Sequence, residues 1–450
     1  MRRLLSFGLG ALALAAAASL EGQAGRISYD TFSLANGLTV ITSEDHSTPI
    51  VAVDVWYNTG SRNERPTRSG FAHLFEHMMF QGSAHVKKAE HFQLIQRAGG
   101  QLNGSTTEDR TNYFEVVPSN RLNLALWLEA DRMRSLAITD SNFHNQRETV
   151  KEERRLGVDN RPYGKAFTDG LTLPYDSTTC FAYAHTVIGD MADLDAAQVA
   201  DVQAFFDTYY APNNATLAVV GDFNAVELRR LVTGYFAGIP SHPAPAPVTC
   251  EYQLSPGTMR REFSDQHANL PAVIRLYRIP PHDDPDTPAL ELMNIILGQG
   301  ESSRLNVSIV RREKAALFAG SGIAGNRRGP GTTFAFGVAN QGVSIDHVDS
   351  LLAAQIDTIR AGGITADEIA KARSTFRARF IETRETVLNK AEELLHFALF
   401  HASLAGINTD LDRYLAVTND DLRRVAAKYL DPANAVILVV RPAAAAGGAQ

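Results

Sequence analysis

Cysteine is almost missing from this chain of 450 residues, which has only Cys180 and Cys250. Two thiols build neither a disulfide framework nor a four-cysteine zinc knuckle, and their spacing does not favour one bridge over two unrelated thiols. An excess of positive charge is missing too. The formal net charge is −7, with Lys/Arg and Asp/Glu intermixed, so there is no basic stripe and no nucleic-acid partner is expected. After the first twenty residues no apolar run approaches the roughly 20 residues that span a bilayer, so the mature chain is expected to have no membrane span. Disordered composition is lacking as well. With 44 % hydrophobic residues over this length, the chain is too large for one ordinary core.

What is there begins with MRRLLSFGLGALALAAAA: two arginines, a short Leu/Ala run, then small residues. That order predicts an export signal over residues 1–24, with cleavage after Ala18 or Ala24, and a mature protein outside the cytoplasm, in a two-membrane bacterium the periplasm. Midway lies PSHPAPAPVTCEYQLSPG, from Pro240 to Gly257, whose alternating prolines suit an extended connector. The two sides of it repeat each other. DVQAFFDTYYAPNNATLAVVGDF and DLRRVAAKYLDPANAVILVVRP pair Asp201 with Asp421, Pro212 with Pro432 and Ala215 with Ala435, each copy reading as helix, proline turn and buried strand. So long a unit points to duplication of a whole domain. Strand-like runs (LTVITSED, IVAVDVWYN, TNYFEVVPS, AVIRLYRIP) are interspersed with helical ones (RLNLALWLEADRMRS, SIDHVDSLLAAQIDTIRAG). The expectation is an α+β protein of two duplicated α/β domains, 26–238 and 260–442, joined by the Pro-rich linker 239–259 and followed by a tail at 443–450.

Residues 73 to 77 read HLFEH, inside the apolar helical stretch SGFAHLFEHMMFQGS. Buried histidines and carboxylates need partners. On a helix His73 and His77 project from one face and Glu76 sits beside them, so both imidazoles can hold one ion while the carboxylate takes a proton from an activated water. Alignment of the second copy through Gln81 and Gln299 puts Glu291 opposite His73, Asn294 opposite Glu76 and Ile295 opposite His77. The fold therefore does not require the histidines. A third ligand has to come from elsewhere, and NFHNQRETVKEERRLG offers Glu148, Glu152 and Glu153, among which spacing does not choose.

HLFEH is an inverted zinc-peptidase motif, H-x-x-E-H, and the chain resembles the pitrilysin and insulinase superfamily, above all its short two-domain members similar to mitochondrial processing peptidase. The resemblance covers nearly the whole mature chain. It implies a half-clamshell fold, one Zn²⁺ per chain and hydrolysis of extended peptides, with Glu76 as general base. It also implies a third ligand about 76 residues beyond the second histidine, at Glu153, and a C-terminal domain without a metal site. Where the family often has a glutamate seven residues before that ligand, this chain has Gln146.

GGQLNGSTTEDRTNY resembles the family's substrate-binding edge strand, with Asn103, Gly104 and Thr106 as substrate contacts and Thr111 and Tyr113 completing the pattern. From the second half the resemblance implies a substrate-holding arginine followed seven residues later by tyrosine. Arg311 and Arg312 occupy that segment, but Phe318 and Ala319 stand at the tyrosine positions. This departure favours a heterodimer with a second two-domain homologous subunit over a homodimer. The alternative is a non-catalytic structural or peptide-binding subunit, against which the intact HLFEH argues.

Overall fold

The computed structural model describes residues 25–250, 257–325, 327–401 and 403–443. The expected export signal, part of the linker and nearly all of the tail lie outside these residues.

In the first half, strands β1 (Asp30–Ser33), β2 (Thr39–Glu44), β3 (Ile50–Tyr57), β4 (Gln101–Thr106), β5 (Thr111–Pro118) and β6 (Ala215–Gly221) form one sheet in the order β1-β2-β6-β3-β5-β4. Its helices are α1 (Phe71–Met78), α2 (Glu90–Arg97), α3 (Leu122–Ser135), α4 (Asp140–Arg154), α5 (Gly164–Thr168), α6 (Met191–Ala196), α7 (Val199–Tyr209) and α8 (Ala225–Phe236). The second half builds β7 (Met259–Asp265), β8 (Ala272–Ile279), β9 (Ala316–Ile323), β10 (Gly331–Ala339) and β11 (Val436–Pro442) into the order β7-β11-β8-β10-β9. Its helices are α9 (Thr287–Gly298), α10 (Ile345–Arg360), α11 (Ala366–Glu382), α12 (Val387–Phe400), α13 (Asp410–Ala416) and α14 (Asn419–Tyr429).

Apart from β1 the two orders are the same. β2-β6-β3-β5-β4 corresponds strand for strand to β7-β11-β8-β10-β9, with the parallel pair β2/β6 matched by β11/β7. Helix α9 follows β8 as α1 follows β3, and Pro212 and Pro432 each open a one-turn helix before the last strand of the sheet. The duplication expected from the sequence is present as two mixed α/β layers.

Alternation along the strands divides each sheet into two apolar faces. In the first sheet Val51, Val53, Val55, Leu217 and Val219 pack against the half's own helices, including Leu74, Phe75 and Met78 of α1. The opposite face, with Ile41, Ala52, Trp56, Ala218 and Val220, is covered by Leu394, Leu395 and Phe397 of α12, a helix of the second half. The exchange is reciprocal, because Phe167, Leu171 and Leu173 of the first half cover Ile274, Leu276, Val436 and Leu438 of the second sheet. Two domains separated purely along the chain, as the sequence suggests, are therefore cross-braced in space.

Cys180 and Cys250 form a disulfide with a Cα–Cα distance of 4.8 Å. It ties the Pro-rich connector to the first half, so one bridge replaces the two unrelated thiols that the spacing had left equally open. It closes a loop of 70 residues. In the chain-entropy account, Cys180→Ser with Cys250→Ser is expected to lower unfolding free energy by about 2–4 kcal/mol, read as a lower denaturant midpoint. Among the described residues no helix is long and apolar enough to cross a membrane.

Candidate metal centre

Helix α1 is set rigidly at its start. Gly70 has φ 85°, and a Cβ there would lie 2.9 Å from Cα of Gly189, so only glycine fits this crossing of loops. The buried carboxylate of Glu64 accepts hydrogen bonds from the Gly70 and Ala72 N–H groups at 2.9 and 2.7 Å, occupying donors that the first turn leaves open. His185 lies 3.0 Å from the same carboxylate. With Leu74, Phe75 and Met78 locked in the core, His73, Glu76 and His77 share the remaining, half-buried side.

Helix α4 faces them. Thr139 caps its start by accepting from Asn142 N–H, and Phe143, Gln146, Val150 and Arg154 form its buried stripe. Directly after Arg154 the chain passes into a π-helical turn, Arg155–Asp159, a local widening frequent at functional sites. Glu153 sits at that junction. Its Oε2 is 3.4 Å from His77 Nε2 and 3.7 Å from His73 Nε2, and one ligand atom from each of the three residues lies within 4.8 Å of the others. Both distances exceed ordinary hydrogen bonds. Ligands bound tetrahedrally at about 2.0–2.2 Å from a common ion stand about 3.4 Å apart, so the observed spacing fits zinc better than direct contact.

Glu148 and Glu152 point elsewhere, Glu148 pairing with Lys151 and Arg147 and Glu152 with Arg155. Gln146 reaches His77, its Oε1 3.3 Å from Nδ1. That contact places the proton on Nδ1 and leaves Nε2 with the lone pair facing Glu153. Burial and the neighbouring His77 pull His73 down to about 4, so its imidazole is neutral and fit to ligate. His77 is lowered by burial, but its contacts with Glu153 outweigh this and leave it raised. Gln146→Leu is expected to weaken zinc binding about 10- to 100-fold, measured by competition with a chelating dye.

Glu76 lies toward β4. Its Oε2 accepts from the Thr106 hydroxyl at 2.6 Å, and burial raises its proton affinity against that bond. Thr106, expected as a substrate contact, holds Glu76 in this structure. Gly104 gives the carboxylate room, since a Cβ there would come within 3.3 Å of Glu76 Cγ and 3.1 Å of the Tyr113 ring. Asn103 is exposed and accepts from Gly104 N–H. Among the described residues β4 pairs only with β5, which leaves its outer edge open there. Thr111 and Tyr113 point inward: the Thr111 hydroxyl binds Thr59 O, and the Tyr113 ring lies under Arg132.

A cavity of about 500 Å³ adjoins His73, Glu76, Glu153, Gly104 and Thr106, and its far wall is Phe167, Leu171 and Arg327. Arg311 and Arg312 are not brought to this cavity. They end a π-helical segment, Asn306–Arg312, where both are exposed and Arg311 pairs with Glu301. The second-half arginine that does line the cavity is Arg327, buried and bound to Glu108 and to the Tyr175 hydroxyl. Its only mark in the sequence is a pair of arginines in a Gly/Pro-rich turn, which carries no chemistry by spacing.

Paired half-shells of one duplicated fold, with H-x-x-E-H on a buried helix and a glutamate brought to it from a second helix, define a metallopeptidase-type protein. Family profiles agree: the one described as Insulinase (Peptidase family M16) matches residues 39–166, and the one described as Peptidase M16 inactive domain matches residues 196–376. The chain belongs to peptidase family M16. It is similar to "Zinc protease PqqE" of Helicobacter pylori, with 28 % identity over 94 % of this chain and 95 % of that protein. It is also similar to a probable mitochondrial-processing peptidase subunit beta of Arabidopsis thaliana, with 24 % identity over 91 % and 78 % of the two chains. A crystal structure of a protease from Helicobacter pylori superposes with a TM-score of 0.88 and 27 % identity, covering 92 % of this chain and all of that one.

Proposed function

We propose that this chain is a zinc-dependent endopeptidase or oligopeptidase that hydrolyses extended peptides, with His73, His77 and Glu153 as the ligands. The observation that carries this reading is the convergence of those three side chains beside Glu76, under an open sheet edge. When bound, the ion supplies Lewis acidity, polarising a peptide carbonyl and lowering the pKa of a water from 15.7 to about 7. Gln146 keeps Nε2 of His77 turned toward Glu153. Thr106 orients Glu76, which accepts a proton from the attacking water and returns it to the leaving amine. The free edge of β4 aligns the peptide by main-chain hydrogen bonds, giving affinity with little dependence on sequence. Quenched fluorescent peptides test the reading: turnover should vanish with a chelator and return with zinc, and turnover indifferent to chelation would reject it.

We further propose export to the periplasm, on the strength of the leader-like residues 1–24, and pairing with a homologous two-domain subunit. A relative named as a subunit supports the pairing, and so does Phe318, exposed on the edge strand β9 where a tyrosine would offer a hydroxyl. A hydrogen bond to developing charge is worth about 2.7–4 kcal/mol, or 10²–10³ in rate. The chain alone should therefore be a weak peptidase, stimulated by a relative that carries the arginine and tyrosine. Full activity from a homodimer, measured together with mass in solution, would refute the heterodimer.

A further inference from the structure

The second half has lost the H-x-x-E-H residues, yet histidines gather there on other elements. His282 follows β8 in the turn leading to α9, His396 lies near the end of α12, and His401 closes that helix. One ring nitrogen from each lies within 4.8 Å of the other two. Nε2 of His282 and Nε2 of His396 face each other at 3.1 Å. Ring centroids are 5.0, 5.3 and 5.7 Å apart, with interplanar angles of 74°, 73° and 67°, so the three rings stand edge-on around one point.

The outer atoms of the cluster fit the same reading. Asp283 Oδ1 lies 3.1 Å from Nδ1 of His401, and Glu291 Oε1 lies 4.0 Å from Nδ1 of His282. Asp283 is close enough to hold a proton on Nδ1 of His401 and free its Nε2, the arrangement that commonly backs a ligating histidine, whereas Glu291 stands beyond hydrogen-bond reach of His282 and adds only negative charge nearby. A hydrogen bond alone would account for the His282–His396 contact; the third ring, held by stacking on Phe397 at 4.3 Å and by Asp283, adds a further nitrogen within 4.8 Å of the other two. Two nitrogens at about 2.0–2.1 Å from one tetrahedral ion stand about 3.3–3.4 Å apart, so the 3.1 Å contact needs to open by only a few tenths of an ångström to admit one.

We propose that His282, His396 and His401 bind a second divalent transition-metal ion, of the zinc class, distinct from the ion at His73, His77 and Glu153. Its role is a brace. Helix α12 is packed on the first sheet through Leu394, Leu395 and Phe397, while His282 lies in the turn that follows β8 of the second sheet and donates its backbone N–H to the Arg327 carbonyl at 2.9 Å. An ion shared by the two elements fixes one half against the other beside the cavity that Arg327 lines. The imidazole set admits zinc, cobalt, nickel or copper.

The test counts metal by mass spectrometry in the full chain, in His77→Ala, in His396→Ala and in His282→Asn. The expected result is two zinc ions per chain, falling to one in each single variant and to none in His77→Ala/His396→Ala. Cobalt added to metal-free His77→Ala should give one equivalent of visible d–d absorption, and zinc should raise the melting temperature of that variant. This arm leaves the cluster untouched and so decides the matter even if the cluster variants fold poorly. One zinc per chain that is lost in His77→Ala and kept in His396→Ala overturns the proposal, as does absence of cobalt absorption in His77→Ala. One zinc that follows His396 instead of His77 sustains it and removes the first site.

Discussion

Glu76→Gln should leave the zinc content of the chain unchanged and lower peptide turnover by about 10²- to 10⁴-fold, the usual cost of losing a positioned general base. The amide is nearly isosteric with the carboxylate and its oxygen can still accept from Thr106 at the position where Oε2 does now, 2.6 Å away. Helix α1 is fixed from its other face by Leu74, Phe75 and Met78 and at its start by Glu64, so the substitution disturbs neither. What changes is basicity. The carboxylate is buried enough for its proton affinity to rise, which makes it a better acceptor from an activated water, and an amide has no such capacity. Metal content and turnover measured on one preparation separate the two effects. Near wild-type turnover would remove Glu76 from the mechanism, and lost metal would make it a ligand or a structural support instead.

The parts of this protein written in local sequence were legible before the structure. A pair of histidines four apart on an apolar helix fixes its own geometry, because helical pitch alone puts both rings on one side. Strands and the duplicated turn at Pro212 and Pro432 are local patterns of the same kind. What escaped depends on tertiary packing. Helix α12 reads simply as an apolar helix, and nothing in Leu394, Leu395 or Phe397 says that they cover the other half's sheet. The 70-residue separation of Cys180 and Cys250 carries no information on their Cα distance. His282 and His396 are 114 residues apart, with no spacing rule to join them, and meet only because α12 crosses between the halves. Arg327 was hidden in a turn, whereas Arg311 stood out by its helix and ended in solvent beside Glu301.

The choice among the glutamates of α4 shows the same division, and its outcome is measurable. Exposure does not separate them, since the side chains of Glu148, Glu152 and Glu153 are 54 %, 56 % and 49 % exposed. Partners do. Glu148 and Glu152 face cations on the surface, where an ion pair is worth about 0–1 kcal/mol, while Glu153 alone stands over two imidazole nitrogens. Glu153→Gln is therefore expected to empty the first site, with a loss of zinc affinity larger than the roughly 10- to 100-fold that follows from removing an outer partner. The amide removes the negative charge from a three-ligand set, and two neutral imidazoles hold the ion poorly without it. Peptide turnover should fall with zinc occupancy and recover in part at high zinc. Glu148→Gln and Glu152→Gln should keep both metal and activity within twofold of the parent. If Glu152→Gln were the variant that lost zinc, the register of α4 against α1 would have to be rotated by one residue, bringing Gln146 away from His77 as well. The same titrations on Gln146→Leu would then show no change, so the two measurements together fix which face of α4 meets the metal.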